Sequence, residues 1–219
     1  MAQTPQDNSG ASPFRTLWIG VVLLALILGL AAVVANRRSH LPLPVWGAVA
    51  DFTLTNQLGQ PVTLATLRGK VWLADIIFTR CPGPCARMTR QMAEIQAALA
   101  GNSEAQLVSL TTDPDFDVPA VLEKYAAHYQ ATPGRWQFLT GPKLTIAAVA
   151  ADSLKFTALG KPAEQRTSAD DLFIHSTTFV LVDKQGRLRA NFDTSSEITD
   201  WAAVRKEILA AIKQLEREP

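Results

Sequence analysis

The sequence is poor in cysteine, with two among 219 residues. Two cysteines exclude a disulfide-dense scaffold and a four-cysteine zinc site, and leave open a reactive or disulfide pair, two structural thiols, or half of a metal site. The chain also lacks an excess of charge of one sign, because 21 Lys and Arg residues face 20 Asp and Glu residues. Without a cluster of like charges, nucleic-acid binding is disfavoured. At 47% hydrophobic and 19% charged residues, the composition excludes a disordered chain.

One long hydrophobic run stands near the amino terminus. After a polar tail at residues 1–16, residues 17–35 carry no charge and would span about 28 Å as a helix, which matches a bilayer core. Trp18 at the start of the run and Arg37 and Arg38 after its end are typical interfacial anchors. The run has no polar stripe, which a helix of a soluble protein would normally show. We therefore predict a single transmembrane anchor. A cleaved signal peptide is the alternative, disfavoured by the length of the run and the two arginines.

The rest of the chain reads as a spacer followed by one domain. Residues 36–50 contain two prolines and a glycine, which predict a stiff spacer, and residues 51–219 form the predicted folded domain. Its patterns give the order hairpin, strand, helix, strand, helix, helix, hairpin, helix. This order predicts an α/β fold with a mixed central sheet flanked by helices. The last hairpin and closing helix indicate a thioredoxin-like arrangement.

The two cysteines lie where a predicted strand passes into a helix. The apolar run at residues 72–78 is typical of a central strand, interrupted only by Asp75, and the helical stripe begins at Cys85. Cys81 and Cys85 are four residues apart, so one helical turn would bring their Cβ atoms within about 5–6 Å. That distance permits a disulfide or two thiolates on one metal ion. The helix amino terminus and two nearby arginines predict lowered thiol pKa values.

A soft monovalent metal ion held by two thiolates needs a third donor. Of the three histidines, His40 lies in the spacer and His128 at the end of a polar helix, where solvated positions are favoured. His175 precedes a predicted strand, and the residues alone leave its role open between ligand and structural histidine. Met88 and Met92 share a helical stripe with core residues, which favours packing over ligation.

Several stretches resemble the Sco/SenC family of membrane-tethered, thioredoxin-like copper proteins. The resemblance runs from Asp51 to the closing helix, and the joint order of the motifs is specific although each alone is weak. The matching stretches are Asp51-Phe52-x-Leu54, Leu67-Arg68-Gly69-Lys70-Val71, Phe78-Thr79-Arg80-Cys81-Pro82-x-x-Cys85, Thr112-Asp113-Pro114 with Asp117 and Pro119, Trp136-x-x-Leu139-Thr140-Gly141, and His175-Ser176 leading to Val182-Asp183-x-x-Gly186.

The resemblance implies a site and a role. It implies that Cys81, Cys85 and His175 bind one copper ion, as Cu(I) or Cu(II), and that Asp113 borders the site, where a turn cap is the equal alternative. It further implies the CuA centre of cytochrome c oxidase subunit II as acceptor, possible exchange with other copper chaperones, and an N-terminal anchor with the domain outside the cytoplasm, in a bacterial periplasm or a mitochondrial intermembrane space. We expect the bacterial inner membrane and the periplasm, because the sequence shows no Arg- and Ser-rich amphipathic presequence. Ala86 and Ile174 depart from residues common in the family, which leaves redox potential and metal affinity open.

Two functions follow from the same cysteines. The first is a copper metallochaperone, a binding function. The second is an enzyme, a thiol-disulfide oxidoreductase that reduces the acceptor's copper-ligand cysteines through Cys81 and Cys85. An ordinary thioredoxin is disfavoured because three residues separate the cysteines, and a peroxiredoxin because Phe78 stands where that family has threonine.

Overall fold

The computed structural model describes residues 13–38, 42–81, 83–101, 104–156, 158–160, 173–195 and 200–219, with the backbone alone at 13–16, 31–38, 158–160 and 173–175. The chain divides into two compact units, residues 1–42 and 43–219, which are described separately. The helices are α1 (Pro13–Arg38), α2 (Leu64–Leu67), α3 (Pro84–Leu99), α4 (Pro119–His128), α5 (Lys143–Ala147, continued by a π-helical turn at Ala148–Ser153) and α6 (Trp201–Arg217). The strands are β1 (Gly47–Ala48), β2 (Thr53–Asn56), β3 (Pro61–Thr63), β4 (Trp72–Ile77), β5 (Gln106–Thr111), β6 (Trp136–Thr140), β7 (Ala158–Gly160), β8 (Phe173–His175), β9 (Thr178–Val182) and β10 (Arg187–Asp193).

The first unit contains the helix α1. It extends beyond both ends of the uncharged run at residues 17–35, and its described side chains, residues 17–30, are exposed. Within the residues described, no helix meets the length and hydropathy needed to cross a membrane.

The second unit is built on a mixed sheet, as predicted. Among the described residues its strand order is β1-β10-β9-β4-β5-β6-β2-β3. Strands β4, β5 and β6 run parallel, whereas β9 pairs antiparallel with β4 and β2 antiparallel with β6. The parallel strands are connected through α3 and α4, because a parallel connection needs a crossover.

Helices cover both faces of this sheet. Leu73 and Ile77 of β4 pack into the same hydrophobic cluster as the buried residues of α3, α4 and α6. The alternate residues Trp72, Ala74 and Ile76 pack into a second cluster with α2 and α5. Burial on both faces explains why β4 is an apolar run without alternation.

Both predicted hairpins are present. The Asn56 side chain accepts hydrogen bonds from the backbone N–H groups of Leu58 (3.0 Å) and Gln60 (2.9 Å), closing the β2–β3 turn. Asp183 does the same for the β9–β10 turn, which ends at Gly186 with a φ of +79°. Asx turns of this kind fix a chain reversal locally, which is why these turns are readable from sequence.

A buried arginine ties the ends of the second unit together. The side chain of Arg189 is 2% exposed and donates to Asp183 (2.7 Å) and Glu218 (2.7 Å). It also donates to the carbonyl oxygens of Leu43 (2.6 Å) and Pro44 (3.2 Å). One guanidinium thus joins the start of the unit, the β9–β10 turn and the end of α6.

Candidate metal and thiol site

The cysteine motif lies at the junction of β4 and α3, at the carboxyl end of the parallel strands. The backbone N–H of Cys81 donates to the carbonyl of Phe78 (3.2 Å), which turns the chain after the strand. Helix α3 then begins at Pro84, where a missing N–H costs nothing. Cys85 is therefore in the first turn of α3, and Cys81 is in the loop before it.

The two thiols differ in exposure. The two cysteines are not joined in a disulfide; Cys81 is half-buried, whereas Cys85 is 1% exposed. The Sγ of Cys85 accepts a hydrogen bond from the backbone N–H of Phe78 (3.5 Å) and is hydrogen-bonded with the Cys81 side chain. The arrangement provides two sulfur donors in contact, one reachable from solvent and one beneath it.

The prediction that the helix and the arginines lower both thiol pKa values is wrong for Cys85. Burial raises the pKa of the Cys85 thiol far above its ordinary value, and the hydrogen bond and charge of Cys81 raise it further. The Phe78 N–H opposes this shift but does not outweigh it. Desolvation dominates because the first turn of α3 lies inside the core cluster, a fact that no local pattern reveals.

Arg80 joins the cysteine motif to the turn after β5. Its guanidinium forms an ion pair with Asp113 (2.7 Å) and lies 4.0 Å from the centre of the Phe116 ring. Asp113 is thereby joined to the residue next to Cys81, while its backbone carbonyl accepts from Phe116 and Asp117 and forms the turn after β5. The side chain of Asp113 thus forms an ion pair beside the cysteine motif, and its backbone carbonyl forms the turn after β5.

Asp117 has a role that the sequence reading missed. An aspartate two residues before Pro119 is typical of an amino-terminal helix cap, but the cap of α4 is Val118 and no side chain bonds there. Instead the fully buried Asp117 accepts from Thr79 N–H (3.1 Å), Thr79 Oγ1 (2.5 Å) and Thr111 Oγ1 (2.5 Å). Burial raises the pKa of this carboxyl, while the hydrogen bonds from both threonines oppose the shift. Asp117 thus fastens the cysteine loop, two residues before Cys81, to the end of β5.

Asp75 is the second residue whose place the sequence did not indicate. It is fully buried in β4, on the face that packs against α3, and its charge raises the pKa of the Cys85 thiol. The sequence feature that could have drawn attention to Asp75 is that it is the single charged residue in an apolar strand.

His175 is described at the level of the backbone. It pairs with Ala158 in the two-stranded sheet of β7 and β8, and its side chain lies outside the described part of the structure. In the antiparallel register, Trp72 pairs with Val182 and Ala74 with Val180. The start of β9, three residues after His175, therefore lies beside the carboxyl end of β4. Among the described side chains, no three His, Cys, Asp or Glu residues converge as a metal site.

These features define a thioredoxin-like protein with a Cys-x₃-Cys pair at the end of a central strand. The chain belongs to the SCO1/SenC family, whose family model matches residues 47–210.

The relatives agree with this assignment. The SCO1 protein homolog of Bacillus subtilis is 37% identical over 147 residues, covering 66% of this chain and 73% of that protein. The structure of BsSco, a member of the Sco family of cytochrome c oxidase assembly proteins in which a disulfide switch is identified, shares 32% identity with a TM-score of 0.67. The match covers 82% of this chain and 100% of that one, and it confirms the predicted thioredoxin-like fold.

A copper-bound relative has the same fold. The structure of Bradyrhizobium japonicum ScoI with copper bound has a TM-score of 0.63 and 24% identity, and covers 77% of this chain and 99% of that one. At this identity the similarity shows the fold.

Proposed function

We propose that this chain is a membrane-anchored copper metallochaperone that binds one copper ion through Cys81, Cys85 and His175. It passes the ion to the CuA centre of subunit II of cytochrome c oxidase. The proposal is carried by one observation: two reduced thiols in hydrogen-bond contact at the carboxyl end of the central strands.

The donor set suits copper as cargo. Thiolates are soft ligands that favour Cu(I), and an imidazole adds a borderline donor that also accepts Cu(II). The half-buried Cys81 is the donor that an acceptor reaches first, whereas Cys85 holds the ion from inside. Because the pKa of Cys85 is raised, loading requires loss of a proton from a buried thiol, and copper must compete with that proton.

Copper titration of the reduced, detergent-solubilised full chain tests the ligand set. We expect one copper ion per wild-type chain, loss of tight binding in Cys81→Ser and Cys85→Ser, and at least about tenfold weaker binding in His175→Ala. His128→Ala is the matched control, because His128 lies at the end of α4. Unchanged affinity and spectrum in His175→Ala would remove the histidine from the ligand set.

Delivery needs a separate measurement. The loaded chain should metallate an apo subunit II domain faster than free copper at the same concentration. Equal rates would contradict a dedicated donor.

Residues 17–35 are the proposed anchor. They are uncharged, and described side chains within this run are exposed along α1. As a single-pass anchor in a bacterial inner membrane, the run would leave the carboxyl-terminal domain in the periplasm. Alkaline carbonate extraction of membranes tests the anchor: the full chain should stay in the pellet, and a variant with two aspartates placed in the run should be released.

A thiol-disulfide oxidoreductase is the second candidate, favoured by the unequal exposure of the two thiols. The Cys81 thiolate would attack an acceptor disulfide and release one acceptor thiolate. Cys85 would then attack the Cys81 sulfur and release the second, so that the acceptor is reduced and this chain is oxidised to the Cys81–Cys85 disulfide. A small-molecule thiol would be needed to restore the dithiol.

Trapping distinguishes this reaction from copper delivery alone. With an oxidised subunit II peptide and no copper, Cys85→Ser should accumulate a mixed disulfide through Cys81. Absence of any mixed disulfide, with copper delivery intact, would leave the metallochaperone function alone.

A further inference from the structure

A groove lies beside the cysteine motif, between α3, the end of β10 and the start of α6. Its volume is about 300 Å³, and its lining includes Arg90, Gln91 and Glu94 of α3, together with Thr194 and Trp201. The groove is polar along α3 and aromatic at Trp201, so it offers both charged and apolar contacts.

Gln91 is the unusual residue in this lining. It is 7% exposed, and its side-chain Oε1 has no hydrogen-bond partner among the described residues. An unsatisfied buried acceptor costs about 1–3 kcal/mol, so such groups are rare unless a partner completes them. The side-chain oxygen of Gln91 is therefore available to accept a hydrogen bond from an N–H group of a ligand in the groove.

The charges of the groove are unequal. Arg90 adds a positive charge to the lining. The one acidic residue, Glu94, is engaged by Trp201 Nε1 (2.8 Å) and Arg205 (3.1 Å), which offsets its charge. The remaining field favours a negatively charged ligand.

The groove also borders the segment that follows His175. Thr194 donates from its backbone N–H (2.8 Å) and its Oγ1 (2.6 Å) to the carbonyl of Thr177, two residues after His175. On the opposite wall, Gln91 lies six residues along α3 from Cys85. A ligand in the groove would contact α3, which carries Cys85, and Thr194, which is bonded to the segment that follows His175.

The geometry points to a docking site for an extended acidic segment of the copper acceptor. A backbone N–H of the segment would donate to Gln91 Oε1, a carboxylate would pair with Arg90, and an apolar side chain would lie on the Trp201 ring. The inference rests on the proposed function for the identity of the partner, but not for the chemistry of the groove.

Isothermal titration calorimetry with short acetylated peptides tests the site. The probes are the acidic peptide EDLDE and the basic peptide KKLKK, added to the full chain in a zwitterionic detergent at low salt. We expect binding of the acidic peptide alone, weakened about tenfold by Arg90→Glu. Lys143→Glu, the same charge change at the start of α5, should alter the affinity by less than about twofold.

Gln91→Leu separates ligand binding from structural support. Removing an unpaired buried acceptor should leave the free energy of unfolding unchanged or raised, whereas the peptide affinity should fall about fivefold. Lower stability with unchanged peptide affinity would overturn the inference. So would equal binding of both peptides, or equal effects of Arg90→Glu and Lys143→Glu.

Copper titration of the same samples keeps the two proposals apart. A chain that binds the acidic peptide but no copper would overturn the proposed function and retain the groove. A chain that binds copper but shows no preference for the acidic peptide would overturn the groove alone.

Discussion

Replacing Asp117 with alanine removes the carboxylate that joins the cysteine loop to the end of β5. Three hydrogen bonds are lost, two from Thr79 and one from Thr111. Thr79 is half-buried and can turn to water, but Thr111 is fully buried and its hydroxyl is left without this acceptor. An orphaned buried donor costs about 1–3 kcal/mol, and each replaceable bond about 0.5–1.5 kcal/mol.

The sum of these hydrogen-bond costs overestimates the loss of stability, because burying the Asp117 carboxylate is itself unfavourable. Burial raises the pKa of Asp117, which means that part of the hydrogen-bond energy already offsets desolvation of the charge. We therefore expect a loss of about 2–4 kcal/mol in the free energy of unfolding. With about 2 kcal/mol per molar urea for a domain of this size, the midpoint should fall by about 1–2 M.

Urea unfolding followed by tryptophan fluorescence measures this loss. Asp115→Ala is the matched control, because Asp115 lies in the same turn and is exposed, and it should change stability by less than about 0.5 kcal/mol. In the same samples Asp117→Ala should bind copper more weakly, since Thr79 is two residues from Cys81. The reasoning is refuted if the two variants unfold at the same urea concentration.

Three further predictions concern the ion pairs and the thiols. Arg189→Met should cost about 3–5 kcal/mol in thermal or urea unfolding, because Asp183 and Glu218 lose the buried guanidinium that pairs with both of them. Arg205→Met, in an exposed pair, should cost less than about 1 kcal/mol. Burial raises the pKa of Asp183, but hydrogen bonds from two arginines outweigh it and hold the pKa below its ordinary value. This carboxylate therefore stabilises the fold above about pH 4 and loses that contribution as the pH falls through the lowered pKa, so Asp183→Asn should flatten the acid limb of a stability-pH curve. Iodoacetamide followed by peptide mass mapping should label Cys81 well before Cys85, because the latter is buried and its pKa is raised; equal rates would contradict the site geometry.

Local patterns predicted most of the sheet and its helices. The β2–β3 and β9–β10 hairpins follow from Asx turns whose donors and acceptors lie within four residues of each other. Strand β4 follows from an apolar run interrupted only by Asp75, and α6 from its helical spacing. Such elements are determined by contacts near in sequence or by a single burial pattern, so the sequence suffices to find them.

Residues whose partners are distant in sequence were not predictable. Asp117 resembles a helix cap until Thr79, 38 residues away, is seen to donate to it. Leu43 and Arg189 are 146 positions apart, so the hydrogen bond between them could not be read from local sequence either. The family resemblance implied the cysteine pair and the histidine, but not Asp75 beneath the thiols or the groove beside them.

The sequence by itself determined that a Cys-x₃-Cys pair stands between a buried strand and a helix, because spacing and hydrophobic periodicity are properties of the chain. Only the tertiary structure decided how the two thiols differ. Cys85 is enclosed by residues from other strands and helices, so its pKa rises where the local pattern predicts a fall. Desolvation depends on everything packed around a group, and packing is known only once the whole fold has formed.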